Sequence, residues 1–179
     1  MKIMAVVSLL ILACTHLYAG EQLVLYRIGE MDQPSWGLLR QYFIKKGYTL
    51  NIYESTGSIE KHIENANRIN RGKRSLLLAV DFKIGEGNHV LVAVTEGKRG
   101  QGSILSIEEV SAAHLSESRE CARIVASFFH KKVKEFPLLP LTGIDMPGIF
   151  VKIECTKDKT EDMLSPLHDG LQRYFKKSP

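Results

Sequence analysis

The chain has 179 residues, of which 44% are hydrophobic and 25% charged, and its formal net charge is +4. This length suits one domain with a hydrophobic core, and the composition excludes a disordered chain or a fibrous repeat. So small a net charge gives no indication of nucleic-acid binding. The basic runs His130–Lys134 and Arg173–Lys177 each close a helical pattern, where cations complement the helix dipole.

The N-terminal segment differs from the rest of the chain. Lys2 precedes an uncharged apolar run, Ile3–Cys14, and a more polar stretch that ends at Ala19. This pattern predicts a secretory signal over residues 1–19 and a single mature domain over residues 20–179. The apolar run is shorter than the about 20 residues that a membrane span needs, although an uncleaved anchor stays open.

A second reading of the same segment involves Cys14. The stretch "LILAC", Leu10–Cys14, resembles a bacterial lipobox, whose cysteine is acylated. In that case residues 1–13 are removed and Cys14 anchors the protein to a membrane. Both readings predict an exported protein, either free in the periplasm or held on the outer membrane as a lipoprotein.

Strand-like and helical patterns alternate through the first half of the mature chain. Three apolar strands are separated by two helices, and the second helix begins with Ser58 as its N-cap. The third strand is apolar throughout, which is typical of a central parallel strand covered on both faces. The predicted ranges are strands 22–28, 48–54 and 75–82 and helices 35–47 and 58–72.

The second half begins with two strand-like runs, 88–97 and 102–109, joined by the glycine-rich "GKRGQG", which predict a β-hairpin extension. A long helix over 116–134, a strand within Met146–Asp158 and a final helix from Thr160 follow. The glycine motifs lack the strand–loop–helix setting of a phosphate-binding loop and indicate turns. The predicted fold is α/β, with a mostly parallel central sheet and helices on both faces.

Two cysteines, Cys121 and Cys155, remain in the predicted mature chain. In an oxidising compartment they could form a disulfide, or each could be a small core residue. The last strand carries a second unusual feature. Ile149, Val151 and Ile153 alternate with polar positions, so that Lys152 and Glu154 share one face of an otherwise apolar strand.

Two stretches, "IENANRINRGKRSLLLAVDF" and "MPGIFVKIECTKDKTEDMLSPLHDGLQRYF", resemble the zinc-dependent N-acetylmuramoyl-L-alanine amidases. The likeness is one of pattern and element order, and it runs from Gln22 to Lys177. Enzymes of that family cut the amide bond between the peptidoglycan sugar and its peptide. The resemblance implies an amidase-like α/β fold.

The residues that the family uses for zinc and catalysis are replaced in this chain. The resemblance puts Glu30 nearest to a zinc histidine, Asp81 at the histidine of the third strand, and Lys152 at the catalytic glutamate. A lysine ammonium repels a zinc ion and cannot accept a proton. We therefore expect a non-catalytic domain without a cofactor, in which Lys152 pairs with Asp81 or Glu154.

Under this hypothesis, the vestigial cleft binds a peptidoglycan fragment or an envelope protein through Glu30, Asp81, Lys152 and Glu154. We expect no nucleic-acid partner, and membrane contact only through a lipid anchor. The alternative is an active zinc-dependent amidase with relocated ligands, drawn from Asp81, His89, His114 and Glu154. The five histidines of the mature chain otherwise indicate surface or capping residues: His62, His89, His114, His130 and His168.

Overall fold

The computed structural model describes residues 21–55, 57–72, 76–97 and 106–177. The predicted signal segment and Cys14 lie outside these ranges. None of the helices within them is both long and apolar enough to cross a membrane. The elements in chain order are β1 (Gln22–Arg27), α1 (Gln33–Lys45), β2 (Thr49–Glu54), α2 (Ile59–Asn70), β3 (Leu76–Ile84), β4 (His89–Thr95), α3 (Ile107–Ala112), α4 (Leu115–Phe128), β5 (Lys134–Phe136), β6 (Gly148–Cys155) and α5 (Thr160–Lys177).

The strands form one six-stranded sheet in the order β2-β1-β3-β6-β4-β5. All neighbouring pairs are parallel except β4 and β6, which are antiparallel. The predicted α/β class with a mostly parallel sheet is thus confirmed. The chain moves outward from β1 to β2 and then crosses β1 to reach β3, so the order reverses between β1 and β3. Such a reversal opens a crevice at the carboxyl ends of the strands.

Helices cover both faces of the sheet. One face packs on α1, α4 and α5, and the other packs on α2 and on the connector Leu138–Met146. The five residues Leu76–Val80 of β3 are all buried, as expected for a strand covered on both sides. Gly170 of α5 allows close packing against α4, because a Cβ there would lie 2.8 Å from the Cα of Val125.

The last strand has the alternation that its sequence predicts. Ile149, Val151 and Ile153 are fully buried on the face that packs against α4 and α5. Lys152 and Glu154 lie half-buried on the opposite face. Because β6 lies between β3 and β4, this polar face is part of the sheet interior rather than an edge.

The predicted β-hairpin extension is wrong where the structure describes it. Strand β4 pairs with β6, and the second predicted strand contains helix α3 from Ile107 onward. Ser106 and Glu109 form a capping box at the start of α3, which explains the helix. The first residues of that run, 102–105, lie outside the described ranges.

The long helix ends earlier than predicted. Helix α4 stops at Phe128, and His130 takes a left-handed φ of 54° that turns the chain away. Lys134–Phe136 then forms β5 and pairs with β4 in parallel. The boundaries of α1 also shift, because the side chain of Asp32 accepts a hydrogen bond from the backbone of Ser35 at 2.7 Å and starts the helix at Gln33.

The two cysteines are free thiols buried in the same core, on the face covered by α4 and α5. Desolvation by burial raises the pKa of both thiols, Cys121 and Cys155. A raised pKa disfavours the thiolate, so both side chains act as small apolar core residues in this structure.

Candidate functional site

The polar residues predicted on β3 and β6 meet at the carboxyl end of the two strands. Asp81 and Lys152 are direct register partners in the parallel pair. The Nζ atom of Lys152 lies 3.1 Å from Oδ2 of Asp81, and the two side chains are 42% and 23% exposed. The ion pair expected from the sequence is therefore present, and it is open to solvent on one side.

The turn that follows β1 lies against Asp81. Gly29 adopts a φ of 74°, and a Cβ on it would lie 3.1 Å from Oδ1 of Asp81. The backbone thus packs directly against the carboxylate, which only glycine allows here without strain. The close approach places the Asp81 carboxylate beside this turn, near the carboxyl end of β3.

Arg27 anchors the turn itself. Its guanidinium donates a hydrogen bond to the backbone carbonyl of Met31 and lies 5.8 Å from the ring centre of buried Trp36. It also pairs with Glu54 at the end of β2, at 3.5 Å. Arg27 therefore connects the ends of β1 and β2 to the start of α1, and it keeps the turn behind Asp81 in one position.

Glu154 lies two residues beyond Lys152 on β6 and on the same face of the sheet. Its register partner on β3 is Lys83, and its partner on β4 is His89. The loop after β3 packs against its carboxylate, because a Cβ on Gly87 would lie 2.8 Å from the carboxyl carbon and Oε1. The carboxylate of Glu154 thus lies against the backbone of this loop, as that of Asp81 lies against the turn after β1.

Glu30 lies exposed in the bend after Gly29, at the same carboxyl end of the strands.

The structure places His114 away from this end of the strands. Its Nε2 lies 2.9 Å from Oδ1 of Asp145, just before β6 begins. A strand rises about 3.3 Å per residue, so the start of β6 at Gly148 lies about 20 Å from Glu154.

The structure therefore does not bring the proposed alternative zinc ligands together. His114 lies at the opposite end of β6 from Glu154. In the described ranges no group of three or more His, Cys, Asp or Glu side chains is arranged to hold a metal ion. The donor set at the crevice does not fit zinc either, because the Lys152 ammonium already occupies the position beside the Asp81 carboxylate.

Two histidines that the sequence indicated as surface or capping residues are buried. His62 is 5% exposed and His168 is 8% exposed. Nε2 of His62 donates to the carbonyl of Thr142 at 2.9 Å, and Nδ1 lies 3.0 Å from the hydroxyl of Tyr26. The spacing of His62 with Ala66 and Ile69 on one face of α2 could have indicated this burial.

An open cleft of about 1050 Å³ lies at the opposite edge of the sheet, between the ends of β4 and β5 and helix α3. Sequence reasoning missed it. Its charged groups are largely engaged within the protein. Arg119 binds Glu135 through two hydrogen bonds of 2.9 and 2.8 Å, and Glu109 caps α3.

Comparisons with known proteins give similarity at the level of the fold. No sequence-family profile and no curated protein matches this chain. Among solved structures, an N-acetylmuramoyl-L-alanine amidase from Clostridium difficile 630 aligns with a TM-score of 0.45 and 11% identity, over 88% of this chain and 96% of the amidase chain. At this level of similarity, neither the activity nor the site of the amidase transfers to this chain.

Proposed function

We propose that this chain is an exported bacterial envelope protein whose domain binds a cell-wall fragment without cleaving it. The signal-like segment 1–19 supports export. The sequence resemblance to peptidoglycan amidases supports a cell-wall ligand. The proposed site is the crevice at the carboxyl ends of β1, β3 and β6.

The observation that carries the proposal is the ion pair between Lys152 and Asp81. The resemblance places these residues at a catalytic and a metal-binding position. A charged lysine cannot act as a general base, and its ammonium takes the place beside the carboxylate that a metal ion would need. The crevice therefore retains charged groups suited to binding but not to amide hydrolysis.

The site is also accessible. Both members of the ion pair are partly exposed, and the crevice lies where the strand order reverses, which is the usual ligand position in open α/β sheets. Glycine backbones lie close to both carboxylates, which leaves room for these side chains at the carboxyl ends of the strands.

Co-sedimentation with purified peptidoglycan tests the binding proposal. We expect the wild-type protein to sediment with peptidoglycan and the variant Lys152→Met to remain mostly in solution. Lys176→Met is the matched control, since Lys176 is an exposed lysine near the far end of α5. A wild-type protein that stays in solution would contradict the proposal and leave an envelope protein as the partner to be sought.

Release of soluble fragments from labelled peptidoglycan tests the absence of hydrolysis. We expect no release above background with or without added zinc. Zinc-dependent release by the wild type, lost in Asp81→Ala or Glu154→Ala, would instead establish an active hydrolase.

A further inference from the structure

We infer that the crevice selects a ligand carrying both an ammonium group and a carboxylate, such as a short peptide with free ends. This inference rests on the proposed function and specifies its ligand. It comes from four charged residues that share one face of β3 and β6, which we call the charge quartet: Asp81, Lys83, Lys152 and Glu154.

The strand register arranges the quartet as a rectangle of alternating charge. Asp81 lies beside Lys152, and Lys83 lies beside Glu154 in the next pair on the same face. Strand neighbours are about 4.8 Å apart and residues two apart on one strand are about 6.6 Å apart. Each acid therefore has a lysine on both adjacent corners, and like charges lie on the diagonals.

The quartet has no net charge, because it contains two carboxylates and two ammonium groups. It offers little long-range attraction to a ligand of one sign, such as a polyanion. A ligand with both charges can place its ammonium against an acid and its carboxylate against a lysine at once. Such a ligand gains two charge-assisted contacts, while a neutral glycan gains none.

The backbone lies close to both acids, and both lysines are open to solvent. Gly29 lies against Asp81, and Gly85 and Gly87 lie against Glu154. Lys152 is 42% exposed, and the side chain of Lys83 is exposed at the end of β3. A ligand carboxylate can therefore reach both lysines, whose long side chains can adjust to it.

Chemical-shift titrations with three related peptides test the inference. The probes are alanyl-lysyl-alanine, its C-terminal amide, and its form with both amines acetylated. We expect the unmodified peptide to bind at least about tenfold more tightly than either blocked form, which corresponds to one lost charge contact. Equal affinity for all three peptides would overturn the inference.

Variants assign each preference to its group. In Lys83→Met/Lys152→Met the preference over the C-terminal amide should disappear, and in Asp81→Asn the preference over the acetylated peptide should disappear. Lys176→Met should keep both preferences. Unchanged discrimination in the quartet variants would mean that the quartet is only a set of surface ion pairs.

The two proposals fail separately. If the protein sediments with peptidoglycan but binds the three peptides alike, the proposed function stands and the selectivity is wrong. If it discriminates the peptides but does not sediment, the selectivity stands and the cell-wall ligand is wrong.

Discussion

The hydroxyl of Tyr26 on β1 donates a hydrogen bond to Nδ1 of His62 on α2 across 3.0 Å, and the two rings lie stacked with an interplanar angle of 9°. The direction of the bond follows from the other ring nitrogen. Nε2 must carry the proton, because it faces the carbonyl of Thr142, which can only accept. One buried imidazole thus joins the sheet, α2 and the connector that leads to β6.

Replacing His62 with phenylalanine should destabilise the protein by about 2–6 kcal/mol. The change leaves the hydroxyl of Tyr26 and the carbonyl of Thr142 without their buried partner, and each such loss costs about 1–3 kcal/mol. Urea unfolding measures the difference. His89→Phe is the control, because His89 is exposed on β4; an equal loss in both variants would show that the buried bonds do not matter.

The stability should decrease at mildly acidic pH because of His168. Burial first, and the nearby Lys46 ammonium second, lower the pKa of this imidazole. The unfolded chain therefore binds the proton more readily, so the contribution is complete above about pH 6.5 and is lost as the pH falls through the folded-state pKa. Urea midpoints measured from pH 7.5 to 4.5 should fall less steeply in His168→Gln than in the wild type. Parallel curves for the two proteins would show that His168 does not cause the loss of stability.

Ile153→Ala should lower the free energy of unfolding by about 2–4 kcal/mol, because the side chain is fully buried at the centre of the sheet. Ile63→Ala is the control, since Ile63 is 40% exposed on α2, and it should cost less than about 1 kcal/mol. Both values come from chemical denaturation. A cost below about 1 kcal/mol at Ile153 would contradict its central position.

Two substitutions at Lys152 should affect stability differently. Lys152→Met removes a partly exposed ion pair and should change the free energy of unfolding by about 1 kcal/mol or less. Lys152→Glu places a second carboxylate directly opposite Asp81 and should be the less stable variant at pH 7. Salt should screen this repulsion, so the difference between the variants should shrink at high ionic strength. A constant difference would mean that the two carboxylates do not interact.

The N-terminal segment is tested by mass spectrometry of protein isolated from its native host. We expect Ile3–Ala13 to be absent from the mature chain. A diacylated Cys14 would identify the lipoprotein, whereas a chain starting at Gly20 would identify cleavage after Ala19. An intact Met1 together with a free Cys14 thiol would exclude both.

The sequence alone predicted those elements whose type is indicated by apolar residues and caps within the element itself. The alternation around Ile153, the apolar run of β3 and the Ser58 cap of α2 each predicted the right element. At Ile107 the alternating residues suggested a strand, although the capping box of Ser106 and Glu109 indicated a helix.

Other features depend on residues distant in the sequence. The three residues of β5 form a strand only because β4 lies beside them, and no local pattern distinguishes them from the end of α4. The pairing of Lys152 with Asp81 was predictable from parallel strands. The close approach of the backbone to Asp81 and Glu154 was not, since it depends on the turns around Gly29 and Gly87.

The position of β6 has a consequence for the order of folding. Among the described strands, β1 to β3 form one part of the sheet and β4 and β5 the other, and β6 joins the two parts. The joining strand begins at Gly148, after all the other strands have been synthesised, and it pairs with residues as distant as Leu77. Such non-local pairing slows folding, and the two parts of the sheet can join only after β6 has been synthesised.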